Sequence, residues 1–429
     1  MNKCKRWAIC TCATAAVLAA SPLPRSGLLL VATTAQAQNA KPDRPAPQHA
    51  DKAANPAPVA GAPHQPPLRT PFTAAEDAAA VVPGMPDARF WADSATDFNR
   101  ALPQQPGPWL ILSTGGADGA FGAGLLNGLS AAGNRPDYAV VTGVSTGALM
   151  APFAFAGPHY DPVLKAAYTQ ISAADVFEAG GTGESFVDSW PLKDLIAKEI
   201  TPGLLADIAD EHRRGRRLFV ITTDLDAERS VVWNMGAIAA HGGPDALDLF
   251  RTVLLASGSI PGAFPPVLIG VESNGKRFSE MHVDGGVGGQ FFVAPLALME
   301  STSGYRIPAT QLAIVVNSRL GRDFQVVERS TPLILTQAVG MAVDVDLRLM
   351  LDRAFVAAKN SGIGFNVATI PQDFNAPSRG PFDPRYMRAL FDTGFDQGKG
   401  ATAFASAPPP YPGGPNVESS DIGKPGVTK

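Results

Sequence analysis

Cysteine is nearly absent from this sequence of 429 residues, and the three that occur, Cys4, Cys10 and Cys12, lie close to its start. The rest of the chain therefore offers no disulfide, no cysteine metal site and no thiol nucleophile. Histidine is also scarce, with six residues and none beyond His282. Any catalytic scheme that needs a histidine late in the chain is thereby excluded.

Long hydrophobic runs are also missing, since no stretch reaches the ~18 uninterrupted apolar residues of a membrane span. The start of the chain instead has the pattern of a signal peptide. Basic residues at 3–6 precede an apolar run, Trp7–Ala20, and Ala35-Gln36-Ala37 supplies a small-x-small cleavage site. We expect export, with the protein periplasmic, outer-membrane associated or secreted. A lipid-anchored cysteine is the alternative, although Cys10 and Cys12 do not follow the small residue expected there.

Positive charge is low once this segment is set aside. Removing its four basic residues leaves 31 basic against 39 acidic residues, a net charge of about −8. An acidic chain without a basic cluster is a poor partner for nucleic acid or for an anionic lipid surface. The one basic run, 213–217, is expected to end a helix, where cations are favoured.

Composition divides the chain into five parts. We expect a signal peptide at 1–37, a Pro/Ala-rich linker at 38–80, a catalytic domain at 81–300, a continuation of that domain at 301–406 and a disordered Pro/Gly-rich tail at 407–429. Apolar runs at 108–113 and 138–144 flank a helical stretch near 125–129, which predicts a β-α-β unit. The predicted fold is therefore α/β, a three-layer, mostly parallel sheet with helices on both faces.

The central motif is Gly143-Val144-Ser145-Thr146-Gly147, between a predicted buried strand and a predicted helix. A G-x-S-x-G turn in that context is a nucleophile elbow, which exposes the serine hydroxyl at the end of the sheet beside a helix N-terminus. The alternative is a serine in an ordinary glycine turn. The strand-turn-helix context favours Ser145 as a nucleophile.

A serine needs a base, and Asp284 is the better candidate. It ends the apolar strand predicted at 277–283, where parallel sheets place their sites, and Gly285 and Gly286 let the backbone turn beside it. A structural Asp-Gly-Gly turn is the alternative. His282, two residues earlier on the same face, could instead be the base, although a packing or surface role is favoured.

The third block, Thr114–Gly119, is a glycine-rich turn between strand and helix. Its amides can converge on a developing oxyanion. Nucleotide binding is the alternative. A Gly-x-Gly-x-x-Gly motif that begins with Gly122 and Gly124 would need a third glycine at position 127, where this chain has Asn127. No Gly-Lys-Ser/Thr sequence ends the loop either. We expect no nucleotide partner.

These three blocks, in this order, resemble the patatin-like phospholipases. The segment 256–266 (Ala-Ser-Gly-Ser-Ile-Pro-Gly-Ala-Phe-Pro-Pro) and Thr223-Asp224-Leu225-Asp226 resemble family segments as well. The resemblance covers roughly 108–295 and implies a Ser–Asp dyad without histidine, in which Ser145 attacks and Asp284 takes its proton. It also implies an acyl-enzyme, with neither metal nor other cofactor. The oxyanion donors that it implies are the amides of Gly115, Gly116 and Ala117, and its motif glycines are Gly119, Gly143, Gly147, Gly285 and Gly286.

Two residues depart from the family pattern. Thr114 stands where a glycine is usual, and Asp118 where a basic residue is usual. Asp118 either repels anionic head groups or caps the following helix.

The main hypothesis is a lipid acyl hydrolase of the phospholipase A or lysophospholipase type, with a lipid or ester substrate and transient contact with a membrane surface. An acyltransferase or general carboxylesterase on the same site, or a non-catalytic lipid-binding protein, are the alternatives.

Overall fold

The structure is a computed structural model that describes residues 69–181, 183–300, 302–321 and 326–410. The predicted signal peptide, most of the predicted linker and most of the predicted tail lie outside these residues. None of the described helices is both long and apolar enough to cross a bilayer.

Eleven strands occur in the described residues: β1 Arg89–Trp91, β2 Gly107–Leu112, β3 Val140–Val144, β4 Glu178–Ala179, β5 Val187–Asp188, β6 Arg217–Asp224, β7 Arg229–Asn234, β8 Val267–Ser273, β9 Lys276–Asp284, β10 Ala309–Val316 and β11 Gly364–Thr369. All except β4 and β5, which pair with each other, form a single nine-stranded sheet.

Twelve α-helices accompany them: α1 Ala74–Ala78, α2 Ala95–Ala101, α3 Gly119–Ala131, α4 Thr146–Ala156, α5 Asp161–Thr169, α6 Trp190–Glu199, α7 Pro202–Arg213, α8 Met235–His241, α9 Gly243–Ser257, α10 Leu296–Met299, α11 Thr331–Ser361 and α12 Pro384–Lys399. Short 3₁₀ turns lie at Gly116–Asp118, Pro158–Tyr160, Ala173–Asp175 and Gly285–Val287.

The sheet confirms the predicted α/β architecture, and its central strands are parallel. Strands β11, β10, β2, β3 and β6 run in one direction, in that order across the sheet. Beyond β6 the direction changes, because β7 is antiparallel to β6 and β1 to β7, while β9 is antiparallel to both β6 and β8. The antiparallel strand β8 and helix α8 were not predicted from the sequence.

Helices cover both faces, as the period-2 alternation of the strands requires. In β2, Leu110 and Leu112 enter one core with α3, α4, α7, α9 and α12, whereas Trp109 and Ile111 enter the other core with α2 and α11. Two cores on opposite sides of one sheet make three layers, and the strands between them are almost completely buried.

One junction decides where the catalytic candidates lie. Strand β3 pairs with β6 from Arg217 to Ile221, and β9 pairs with β6 from Thr222 to Asp224. These two strands thus lie end to end, running in opposite directions, and their carboxyl ends meet. Ser145 directly follows β3, and Asp284 is the last residue of β9.

The predicted linker differs from the structure. Residues 69–80, assigned above to the linker, pack on the domain: Arg69 bonds to Asp226 and to the Ser279 carbonyl, Phe72 stacks on Phe278, and Thr73 caps α1. The domain therefore begins earlier than residue 81.

Candidate active site

Ser145 occupies a strained backbone conformation, with φ 56° and ψ −123°, between β3 and α4. A non-glycine residue at positive φ is uncommon, and its persistence at a strand-to-helix turn is typical of a nucleophile elbow. The Ser145 amide donates to the hydroxyl of Ser257 at 3.0 Å, and that hydroxyl donates to the Ile221 carbonyl at 2.7 Å. Ser257 therefore gives the amide of the strained turn a hydrogen-bond partner and links the turn to β6.

The motif glycines allow this turn to pack closely. At all five, an added Cβ would lie within 3.0 Å of a neighbouring atom: Gly119, Gly143, Gly147, Gly285 and Gly286. At Gly147 the neighbour is the carbonyl of Leu112 at the end of β2, and at Gly285 it is the carbonyl of Ile221 on β6. At Gly143, Gly147 and Gly285 the nearest atoms belong to the backbone and cannot move aside cheaply, so these three positions require glycine.

The two catalytic candidates are in direct contact. Ser145 Oγ donates to Asp284 Oδ2 at 2.6 Å, and both side chains are buried, with 6% and 5% exposure. Asp284 Oδ1 accepts a hydrogen bond from the Gly286 amide at 2.7 Å. One carboxylate oxygen is thus held by the turn, and the other is left facing the serine hydroxyl.

The strand that carries Asp284 is not a parallel strand of the sheet, contrary to the expectation from the sequence. Strand β9 runs antiparallel to β6. Asp284 reaches Ser145 because β9 arrives from the opposite direction and ends where β3 ends. The amide of Asp284 donates to the Ser259 carbonyl at 2.8 Å, which fixes this strand end against the segment after α9.

Burial raises the pKa of Asp284 to about 6, while the hydrogen bonds from Ser145 and the Gly286 amide lower it. The carboxylate is therefore mostly ionised at neutral pH, yet it is more basic than an exposed aspartate. Both properties suit a group that must accept a proton and later return it.

The glycine-rich loop lies beside the dyad. An added Cβ at Gly119 would meet the Thr146 side chain, and one at Gly286 would meet Thr114, so the loop touches both the elbow and the Asp-Gly-Gly turn. Within the described residues, the amides of Gly115, Gly116 and Ala117 donate to no protein group. Gly115 and Gly116 are at positive φ, and their loop turns directly into α3. Free amides at a helix start can bind an anion.

Residues beyond the motifs support this loop. The side chain of Asn317, at the end of β10, accepts from the Gly122 amide at 3.1 Å and donates to the Ser113 carbonyl at 3.0 Å. It thus ties together the two flanks of the loop. On the other side, Gln290 accepts from the Thr114 hydroxyl at 2.7 Å and donates to the Gly286 carbonyl at 2.9 Å.

Asp118 is neither a cap nor a surface charge. It is fully buried, makes no capping hydrogen bond to α3, and accepts from the Tyr386 hydroxyl at 2.7 Å. Burial raises its pKa to about 7, although the hydroxyl of Tyr386 and the charge of Arg319 favour the ionised form. Because the Asp118 side chain points into the protein, it is not an exposed charge that could directly repel a head group.

His282 is completely buried and does not contact the dyad. Its Nε2 lies 3.1 Å from Glu280, and its Nδ1 lies 3.0 Å from the Thr222 hydroxyl. In the described part of the chain, Asp224, Glu280 and His282 have the spacing of metal ligands. Arg89, however, binds both oxygens of Glu280, so the cluster is already part of a buried ion pair. These contacts support the packing role for His282.

Sequence reasoning missed the supporting residues Ser257, Gln290, Asn317 and Tyr386. Ser257 belongs to the segment 256–266, which resembles the family, but its partner is set only by the fold. The other three carry no local motif.

An α/β sheet with a serine elbow, a buried aspartate and a free-amide loop defines a serine hydrolase-like site. Comparison with known families makes the class specific: the patatin-like phospholipase family model matches residues 110–297. This part of the chain is therefore similar to a patatin-like phospholipase domain.

Two solved structures are similar at low sequence identity. VipD from Legionella pneumophila is 13% identical with a TM-score of 0.35, and the match covers 68% of this chain and 66% of VipD. The type III effector protein ExoU is 15% identical with a TM-score of 0.27, and the match covers 70% of this chain and 54% of ExoU. The chain thus spans less than two-thirds of either protein. No curated protein matches its sequence significantly.

Proposed function

We propose that the protein is an exported lipid acyl hydrolase that cleaves carboxylic esters with a Ser145–Asp284 dyad. The observation that carries the proposal is the 2.6 Å hydrogen bond between Ser145 Oγ and Asp284 Oδ2 at the junction of β3 and β9. The free amides of Gly115, Gly116 and Ala117 beside it supply the third element of acyl transfer.

Acylation begins when Asp284 accepts the Ser145 hydroxyl proton as Oγ attacks the ester carbonyl carbon. The carbonyl oxygen becomes an oxyanion, which the loop amides stabilise. When the tetrahedral intermediate collapses, the carbon–oxygen bond of the leaving alcohol breaks, and Asp284 returns the proton to that alcohol. An acyl group remains on Ser145.

Deacylation repeats these steps with water. Asp284 takes a proton from a water molecule, whose oxygen attacks the acyl carbon. The second tetrahedral intermediate releases the Ser145 oxygen, which recovers its proton from Asp284, and a free fatty acid leaves. No histidine is required, and the buried position of His282 away from the dyad is consistent with this scheme.

Export is part of the proposal and rests on the sequence at 1–37. We propose a periplasmic, outer-membrane associated or secreted location. Cell fractionation of the full-length chain, with the basic residues at 3–6 replaced in a matched variant, tests export separately from catalysis.

The activity is tested with the full chain and a Ser145→Ala variant on short- and long-chain acyl esters. We expect the variant to lose about 10³-fold or more in kcat/KM. Ser259→Ala is the matched control, because this buried serine also lies beside Asp284 but its hydroxyl bonds only to the Leu255 carbonyl. Equal rates for the wild type and Ser145→Ala would overturn the proposal.

A fluorophosphonate probe provides the second readout. Labelling of the wild type that disappears in Ser145→Ala and persists in Ser259→Ala would support an activated nucleophile at 145. A folded wild-type protein that resists labelling would favour the non-catalytic lipid-binding alternative.

A further inference from the structure

Helix α11 is apolar on two opposite sides, but the described structure covers only one of them. The buried side is formed from Leu347 onward and packs on β10 and β11, with members Leu347, Met350, Leu351, Ala354, Ala357 and Ala358. The exposed side, here called the α11 stripe, consists of Ile334, Met341, Val345, Leu349 and Val356. These five side chains are between 41% and 59% exposed.

The stripe runs along one face of the helix, with Asp352 on the same face between its last two members. Its members are separated by seven, four, four and seven residues, a spacing that places them on one face of an α-helix. Exposed single apolar residues are ordinary, but a row of five over most of a 31-residue helix is not. The first half of α11, before Leu347, has no buried side chain among its described residues. A helix that is apolar all round normally has a partner on every side.

The stripe is connected to the candidate active site. On the inner side of α11, the sulfur of Met350 accepts a hydrogen bond from the Gln290 amide at 3.2 Å, and Asp346 also bonds to Gln290. Gln290 in turn binds Thr114, the first residue of the amide loop, and the Gly286 carbonyl of the dyad turn. Gln290 thus connects the helix that carries the stripe to the amide loop and to the turn after Asp284.

The charged residues near the α11 stripe indicate which kind of lipid surface it would bind. Residues 331–356, which include the whole stripe, contain three acids, Asp344, Asp346 and Asp352, and two arginines, Arg348 and Arg353, so they have no excess of basic residues. Anionic lipid surfaces attract basic segments, whereas an uncharged or zwitterionic surface needs only apolar contact. Since α11 cannot span a bilayer, it would lie in the interface, with its apolar face toward the acyl chains.

We propose that the α11 stripe docks the enzyme on a zwitterionic lipid surface and so delivers acyl chains to the adjacent dyad. This inference rests on the proposed function, and it identifies the substrate as lipid in an aggregate, of neutral or zwitterionic rather than anionic head group. Docking is a property of the helix, however, and it can be measured without any turnover.

The test uses full-length protein carrying Ser145→Ala, so that no lipid is consumed, and measures its partition onto phosphatidylcholine vesicles by co-sedimentation. Met341→Glu/Val345→Glu in this background should weaken partition by about tenfold or more, because two exposed apolar contacts become charges. Leu268→Glu on β8, also an exposed apolar residue in a different element, is the matched control and should bind like the parent.

Activity gives the second readout, in chains that retain Ser145. The double variant should lose hydrolysis of vesicle substrate through a higher apparent KM, while its rate on a dissolved short-chain ester stays within about twofold of the wild type. Loss of both rates would indicate a damaged site. If no chain hydrolyses either substrate, the proposed function fails while the partition result still stands.

Three results would overturn the docking proposal. The first is equal vesicle partition of the double variant and its parent, and the second is an equal loss in the Leu268→Glu control. The third is a wild-type dimer that becomes monomeric in the double variant without any change in vesicle binding, which would identify the stripe as a contact between copies. Tighter partition onto vesicles with added phosphatidylglycerol than onto pure phosphatidylcholine would contradict the charge argument.

Discussion

The two sides of the sheet contribute differently to the candidate site. The parallel side, from β11 to β6, supplies the nucleophile elbow after β3 and the amide loop after β2. The antiparallel side supplies only Asp284, at the end of β9. Elements of the parallel side alone would place a serine beside oxyanion donors but leave it without a base.

The candidate site therefore lies at the seam of the sheet, the point where β3 and β9 meet on β6. Strands β3 and β9 share one edge of β6 and meet between Ile221 and Thr222. The separation of Ser145 and Asp284 is therefore set by the register of two strands on a common neighbour and not by a flexible loop. Rigid elements hold reacting groups more precisely than loops do, which matters for a 2.6 Å contact.

The largest expected effect comes from removing the contribution of the antiparallel side. Asp284→Asn keeps the shape of the side chain but cannot accept the serine proton, so kcat/KM should fall about 10³- to 10⁴-fold. The measurement is hydrolysis of a dissolved short-chain ester by the full chain. Asp226→Asn is the matched control, because it alters a partly exposed aspartate of the same region that binds Arg69. Comparable losses in both variants would show that the damage is structural.

The next largest effect comes from steric crowding at the seam. An added Cβ at Gly285 would overlap the Ile221 carbonyl and crowd Val144, so Gly285→Ala should cost about 1–3 kcal/mol of unfolding free energy. Gly270→Ala, in β8 of the antiparallel side, has no atom within 4 Å of the added Cβ and should be nearly neutral. Urea unfolding of both variants measures the contrast. A neutral Gly285→Ala would mean that the junction is looser than the structure indicates.

The difference between the two sides also decides what sequence alone could predict. The parallel strands β2, β3, β6 and β10 are continuous apolar runs, and β2 and β3 end at glycine-rich turns, so these strands and those two turns were predictable from local pattern. The role of Asp284 as a base was predicted from its place at a strand end and is also implied by the family resemblance, but neither gave its geometry. The antiparallel pairing of β9 with β6, which brings that residue to Ser145, depends on contacts about 60 residues apart in the chain.

The supporting residues were less predictable still. Asn317 and Tyr386 lie outside the matched residues 110–297. The Asn317 side chain acts through two hydrogen bonds to the flanks of the loop, and Tyr386 acts through one hydrogen bond to Asp118. A lone buried asparagine or tyrosine carries no periodicity and no motif. Neither of the two roles expected for Asp118, repelling anionic head groups or capping α3, anticipated its contact with the Tyr386 hydroxyl, because that partner is 268 residues away in sequence.

A smaller effect concerns the strained elbow itself. Ser257→Ala removes the hydroxyl that accepts from the Ser145 amide and leaves a buried N–H without a partner, which costs about 1–3 kcal/mol. We expect lower stability together with a fall in kcat, since the elbow loses its tie to β6. Ser257→Thr restores the hydroxyl and should recover part of both. Full activity in Ser257→Ala would show that the glycines alone maintain the turn.

The smallest expected effect is the pH dependence. With a pKa of about 6, Asp284 is ionised above that pH, so kcat/KM should be half its maximum near pH 6 and fall about tenfold for each unit below. A carboxyl of ordinary pKa would keep full activity to about pH 5.

The pH dependence of folding stability has the opposite sign to that of activity. Because the pKa is higher in the folded protein, the contribution of Asp284 to stability is complete below its unfolded pKa and is lost as pH rises through about 6. The melting temperature of the wild type should therefore fall more between pH 5 and pH 8 than that of Asp284→Asn, and parallel curves would mean that burial at the seam does not perturb this carboxyl.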